Sequence, residues 1–171
     1  MVHTHKKAER VLGAATAEGP DTASYWEDAQ TGHASAYRYV SLLGLHASDP
    51  MEIIKRLRLG LSFRALERFQ QNTQFSTAEI ADLVAIKLRT LRRRKDQGRL
   101  EPEESDRLLR VSRIFAKALE LFEGDTAAAR GWFHAPARAL GGEPPISLAG
   151  TDLGSREVEA LIDRLEHGVL P

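Results

Sequence analysis

The chain has 171 residues, of which 42% are hydrophobic and 28% charged, and its 24 basic residues balance 24 acidic ones to a formal net charge of zero. It contains no cysteine, which excludes disulfides, thiol catalysis and cysteine-ligated zinc and fits a reducing, cytoplasmic setting. No run approaches the ~18 apolar residues of a membrane span, and the N-terminus lacks the apolar core of a secretory signal, so no membrane association is expected.

The zero total hides a dipolar chain. Residues 1–50 carry a net −2, residues 51–100 +7, residues 101–150 −2 and residues 151–171 −3. A basic middle and an acidic end suggest two binding faces with different partners, one of them nucleic acid.

In chain order, residues 1–35 are rich in Ala, Thr, Gly and His with no sustained period, and a mobile arm is expected, with Tyr25 and Trp26 as its large apolar anchors. His3 and His5 have no carboxylate or thiol partners at metal-ligand spacing, so no metal is expected. Tyr37 to Leu43 forms a short helix that Gly44 ends. Asp49 then caps a better one, with Pro50 at its first position, Ile53, Ile54 and Leu57 on one face and Gly60 as its stop. Ser62 opens a third, with Phe63, Leu66 and Phe69 at helical spacing, which reads as core packing.

Ser76 and Glu79 have the S-x-x-E spacing of a capping box, so a helix begins there. Ile80, Ala81 and Val84, then Ile86 and Leu91, make two short apolar faces interrupted by a brief turn, the pattern of a helix-turn-helix. Ala85 occupies the turn position where such motifs often place Gly, so the turn either avoids a left-handed conformation or Ala85 tolerates one. Residues 87–99 hold seven Lys or Arg against the single Asp96, a net of +6. A solvated surface helix is the plain alternative for a charge run. The concentration in a chain of zero total favours docking on duplex phosphates, where counterion release drives binding. Lys87, Arg89, Thr90 and Arg93 are expected near base edges, and Arg92, Arg94, Lys95 and Arg99 at phosphates.

Gly98 ends this helix. Pro102, with Glu103, Glu104 and Asp106 in the first turn, opens a long one whose stripe of Leu108, Val111, Phe115, Leu119 and Phe122 runs to Gly124. Asp125 caps a short helix carrying Trp132 and Phe133. Residues 135–145 read as a connector, with Gly141 and Gly142 permitting positive φ and Pro144 and Pro145 excluding helix. A phosphate-cradling loop is rejected there because no Gly-Lys-Ser/Thr follows and no strand precedes. Ser155 caps a last helix with Val158, Leu161, Ile162 and Leu165 at apolar spacing, ended by Gly168. No stretch alternates with period two. The expected fold is all-α: an arm (1–35), a helix-turn-helix half (36–112) and, across the long helix, a small helical second half (113–171).

Over about residues 50 to 171, the run Arg89-Thr90-Leu91 with Arg93 and Arg94, then residues 104–108 (ESDRL), Arg113-Ile114-Phe115, Leu121-Phe122, Trp132, Pro136, Leu140-Gly141-Gly142, Pro145, Leu148, Thr151, Gly154, Val158 and Glu166-His167-Gly168 resembles the Xre/MbcA/ParS antitoxins, partners of RES-domain toxins. The resemblance implies that the helix-turn-helix half binds the promoter of its own operon as an autorepressor, and that the second half binds an NAD-degrading RES toxin. It also implies that the C-terminal end covers the toxin's active site, with Arg156, Glu157, Arg164, His167, Gly168, Val169, Leu170 and Pro171 as candidate contacts, and that the chain self-associates as a homodimer or larger assembly. No cofactor is implied.

Independently, the acidic last segment suits a positively lined cleft of the kind that holds dinucleotide phosphates, through Glu157, Glu159, Asp163 and Glu166. The plain alternative is a solvated helix face. His167 beside a helix-ending Gly, and His134 near Trp132, also have structural roles open to them at helix ends. The competing function is a stand-alone helix-turn-helix regulator whose second half dimerises or binds a ligand. An enzyme is disfavoured: no nucleophile–base pair, metal cluster or buried carboxylate pair is visible in the sequence.

Overall fold

The computed structural model describes residues 38–46 and 49–168, so the expected arm, with His3, His5, Tyr25 and Trp26, and the tail residues Val169, Leu170 and Pro171 lie outside the described residues. A 3-10 helix, Arg38–Leu43, precedes α1 (Pro50–Leu59), α2 (Phe63–Thr73), α3 (Thr77–Leu83), α4 (Leu88–Gln97), α5 (Pro102–Leu121), α6 (Thr126–His134), α7 (Pro145–Leu148) and α8 (Asp152–Glu166). The only β-type pairing among the described residues is one isolated antiparallel bridge between Ser62 and Arg99, so the fold is all-α.

Helix starts follow the chemistry of their caps. The Asp49 carboxylate accepts from the Met51 N–H at 2.9 Å, and Pro50 opens α1, where its missing N–H costs nothing. At α3 both halves of the capping box form: Ser76 Oγ accepts from Glu79 N–H at 3.2 Å and Glu79 Oε2 accepts from Ser76 N–H at 2.6 Å. Asp125 caps α6 by accepting from Ala128 N–H at 2.9 Å. Two expectations need correction. The last helix starts four residues early, because Thr151 Oγ1 accepts from Gly154 N–H at 3.1 Å, while Ser155 is buried inside the helix and donates to the Asp152 carbonyl at 2.7 Å. Pro145 does not exclude helix but begins the one-turn α7, a position at which proline's fixed φ is already helical.

Around α5 the two halves share one continuous core. Its Phe115 is fully buried and contacts Phe69 (ring centroids 6.3 Å apart) and Phe75 (5.5 Å) from the helix-turn-helix half, and Phe133 (5.4 Å) from α6. These tilted and edge-on geometries are the favoured ones for aromatic pairs. Truncating Phe115 would cost about 3–5 kcal/mol by opening a cavity common to both halves.

Backbone approach fixes the corner between α1 and α2. Gly60 has φ +81, and a Cβ there would lie 2.1 Å from the Leu100 carbonyl oxygen, so only glycine fits. The Ser105 hydroxyl, buried in α5, accepts from Leu61 N–H at 2.8 Å and donates to the Glu101 carbonyl at 2.8 Å. The start of α5 is thereby held against the segment that leads into α2.

Candidate functional site

The cationic helix α4 is positioned by a tight turn. Ala85 lies in the left-handed region at φ +54, so the alternative realised is a strained alanine in place of the usual glycine. The next element is set by Ile86 N–H donating to the Ala81 carbonyl at 2.9 Å and by Arg107 donating to the Val84 carbonyl at 3.2 Å. Leu91 then buries the inner face of α4 against the core.

Of the residues expected to meet DNA, Lys87, Arg89, Arg92 and Arg93 are exposed and form no ion pair among the described residues. Thr90 is half-buried. Lys95 is exposed but paired with Glu67 at 3.1 Å, and Arg99 is exposed while one of its guanidinium nitrogens donates to the Leu59 carbonyl at 2.8 Å. Arg94 does not belong with them. It is buried; its Nε donates to both Glu104 oxygens at 3.0 and 2.9 Å, and its Nη1 sits 2.9 Å from Glu101 and 3.0 Å from the Gln97 side-chain oxygen. This arginine anchors α4 to the first turn of α5, and its burial withdraws it from a phosphate. Its sequence context gave no warning, since Arg92, Arg93 and Arg94 read alike until one asks which falls one turn after the buried Leu91.

The second candidate surface is on α8. Val158, Leu161 and Ile162 face the core. At about 100° per residue, Arg156 and His167 fall opposite these, and Glu157 and Arg164 fall on the adjoining flank, so the four expected toxin contacts lie along one side of the helix. Arg156 and Glu157 are exposed, with Arg156 3.1 Å from Asp152, and His167 donates from its ring to the Asp163 carbonyl at 2.6 Å. Arg164 is half-buried, and its Nε is shielded from solvent with no hydrogen-bond partner. Gly168, at φ +67, ends the described helix. Leu153 was missed by sequence reasoning although it lies on this same face and is 72% exposed, because a leucine beside a helix start reads as core until its facing is known.

The acidic residues of α8 divide. Glu159 accepts from Arg113 at 2.7 Å, and Asp163 accepts from Lys117 at 2.8 Å, so these two hold α8 to α5. Glu157 and Glu166 point elsewhere and are exposed. Charge mimicry, as expected from the sequence, therefore rests on fewer groups than the count of four.

A polar link joins α6 to α3. His134, at the end of α6, hydrogen-bonds through Nδ1 to the Arg130 carbonyl at 2.7 Å and through Nε2 to Glu79 of the α3 capping box. Burial pushes the Glu79 carboxyl up, but the hydrogen bonds from Ser76 and His134 and the imidazolium charge together outweigh it and hold the group at about 2, from an ordinary 4.5. The Arg130 carbonyl and the Glu79 carboxylate raise His134 above its ordinary 6.5. The structural role expected for His134 is thus present.

Comparison with known proteins matches residues 52–113 to the antitoxin Xre-like helix-turn-helix domain and residues 117–168 to the antitoxin Xre/MbcA/ParS C-terminal toxin-binding domain. The chain belongs to the Xre antitoxin family. The two matches meet within α5, the helix that carries Phe115. The chain is 38% identical to Antitoxin Xre of Yersinia enterocolitica over 128 residues, 74% of this chain and 86% of that protein. It is 31% identical to Antitoxin Xre of Photorhabdus laumondii over 129 residues (75% and 87%) and 33% identical to Antitoxin Xre of Pseudomonas putida over 122 residues (71% and 75%). For this antitoxin-family chain, α4 is the second helix of the helix-turn-helix and α8 closes the toxin-binding domain. No helix among the described residues is long and apolar enough to cross a membrane.

Proposed function

We propose that the chain is a cytoplasmic antitoxin that inhibits an NAD-degrading RES-domain toxin by covering its active site with the C-terminal region, and that it represses its own operon by binding promoter DNA through α4. The observation that carries the first half is the continuous outer face of α8, where Leu153, Arg156, Glu157, Arg164 and His167 lead directly into the C-terminal residues Val169, Leu170 and Pro171. An exposed leucine among exposed charged residues is the composition of a protein-binding surface.

The second half is supported by four exposed cations at the start and along α4, Lys87, Arg89, Arg92 and Arg93, which form no ion pair among the described residues, on a helix of the size a major groove admits. Two such chains in a homodimer would require a palindromic operator with half-sites about one helical turn, or multiples of it, apart. The direct test uses the purified RES-domain toxin encoded beside this gene. NAD⁺ consumption should fall to background as the chain is titrated in, and the toxin should protect α8 from proteolysis; undiminished NAD⁺ consumption would leave the chain a stand-alone regulator.

A further inference from the structure

Leu88 is the first residue of α4, and it is 47% exposed. Its exposed neighbours are cationic: Lys87 precedes it, Arg89 follows it and Arg92 lies one turn on, all without ion-pair partners among the described residues. The inner face of the helix is already supplied by Leu91, which is buried, and by Arg94, which is tied to Glu104. Leu88 therefore contributes little to the core, and a leucine in water on a cationic helix start gains nothing for the free protein. A side chain at this position leans back over the N-terminal end of its helix, the end that enters the groove in helix-turn-helix docking.

The major groove presents donors and acceptors at every base pair, and its one apolar group is the 5-methyl of thymine. Resting on the reading that α4 binds operator DNA, we infer that Leu88 is a specificity-determining residue that packs on a thymine methyl in each half-site, while Lys87, Arg89, Arg92 and Arg93 supply polar and phosphate contacts. This gives the interface a preference that charge cannot give, since cytosine at the same place offers an amino group and no methyl.

The test uses the promoter duplex upstream of this gene, with the protected half-sites mapped by footprinting with the full chain. Each thymine in a half-site is then replaced singly by deoxyuridine, which removes the methyl and leaves every hydrogen-bonding group. With the natural chain, deoxyuridine at one position per half-site should weaken binding about four-fold, the weight of one buried methyl-sized group. Leu88→Ala, which removes the contact at both half-sites, should weaken binding to the natural duplex by about the square of that factor and make it indifferent to deoxyuridine at that position, with an unchanged melting temperature. Equal sensitivity to deoxyuridine in the natural and Leu88→Ala chains, or no sensitive thymine at all, overturns the assignment to Leu88 alone. If no duplex is protected, the DNA-binding reading fails, and the assignment falls with it.

Discussion

His134 Nε2 meets Glu79 Oε1, so the last residue of α6, in the toxin-binding domain, is bonded to the carboxylate that caps the first helix of the helix-turn-helix. The pair joins the two domains at the surface as Phe115 joins them in the core. Glu79 has a lowered pKa, so its contribution is complete above about 4.5 and is lost as pH falls towards about 2. His134 has a raised pKa, so its contribution is complete below 6.5 and is lost as pH rises through the raised value. The bond is strongest between those limits. His134→Ala should lower stability by about 0.5–1 kcal/mol at about pH 5.5 and by less at about pH 8.5, because both groups are partly solvated. Thermal melts at the two pH values check this.

Arg93 and Arg94 are neighbours with opposite roles. Arg94→Ala leaves Glu104, which is itself buried, without its partner and should cost about 3 kcal/mol of stability, measured by urea denaturation. Arg93→Ala should leave the melt unchanged while weakening promoter binding and relaxing base preference. Lys95→Ala should weaken all duplexes alike and lower the salt slope by about one ion.

How far the sequence could be read is clearest at this pair. Caps, breakers and apolar periods located every main helix, because Asp49, Ser76, Glu79 and Asp125 act locally, within a turn of their own positions. The start of α8 was misread because Thr151 and Ser155 are equally good caps in isolation, and only the path of the backbone selects the first. The role of Arg94 was illegible for a different reason: it depends on Glu104, ten residues away across a turn whose geometry the sequence does not state. Leu88 and Leu153 were passed over because a leucine carries no sign of which way it faces.

Three glycines should answer a methyl group differently. Gly60→Ala and Gly154→Ala should each cost about 1–3 kcal/mol or more, since the new Cβ would lie 2.1 Å from the Leu100 oxygen in one case and 2.3 Å from the Leu148 oxygen in the other. Gly131 sits in α6 with nothing within 4 Å of a Cβ, so Gly131→Ala should instead stabilise by about 0.5–1 kcal/mol. Chemical denaturation of the three variants distinguishes the cases.

Charge reversal on α8 should separate folding from partner binding. Glu159→Lys would face Arg113 and Lys117 and should lower the melting temperature. Glu157→Lys, on the outer face, should leave the melt unchanged and weaken capture of the toxin in a pull-down, most at low salt.

The central claim is that inhibition acts through the C-terminal end. Glu166, His167 and Gly168 are exposed, so a chain ending at Leu165 keeps the buried Val158, Leu161 and Ile162 that hold α8 in place. The decisive measurement is cellular NAD⁺ in a host expressing the RES-domain toxin proposed as the partner, together with either the full chain or this shortened one. Preserved NAD⁺ with the full chain and depletion with the shortened chain is the predicted result. Equal protection by both would contradict the claim that the end covers the active site, and protection by neither would contradict inhibition of that toxin.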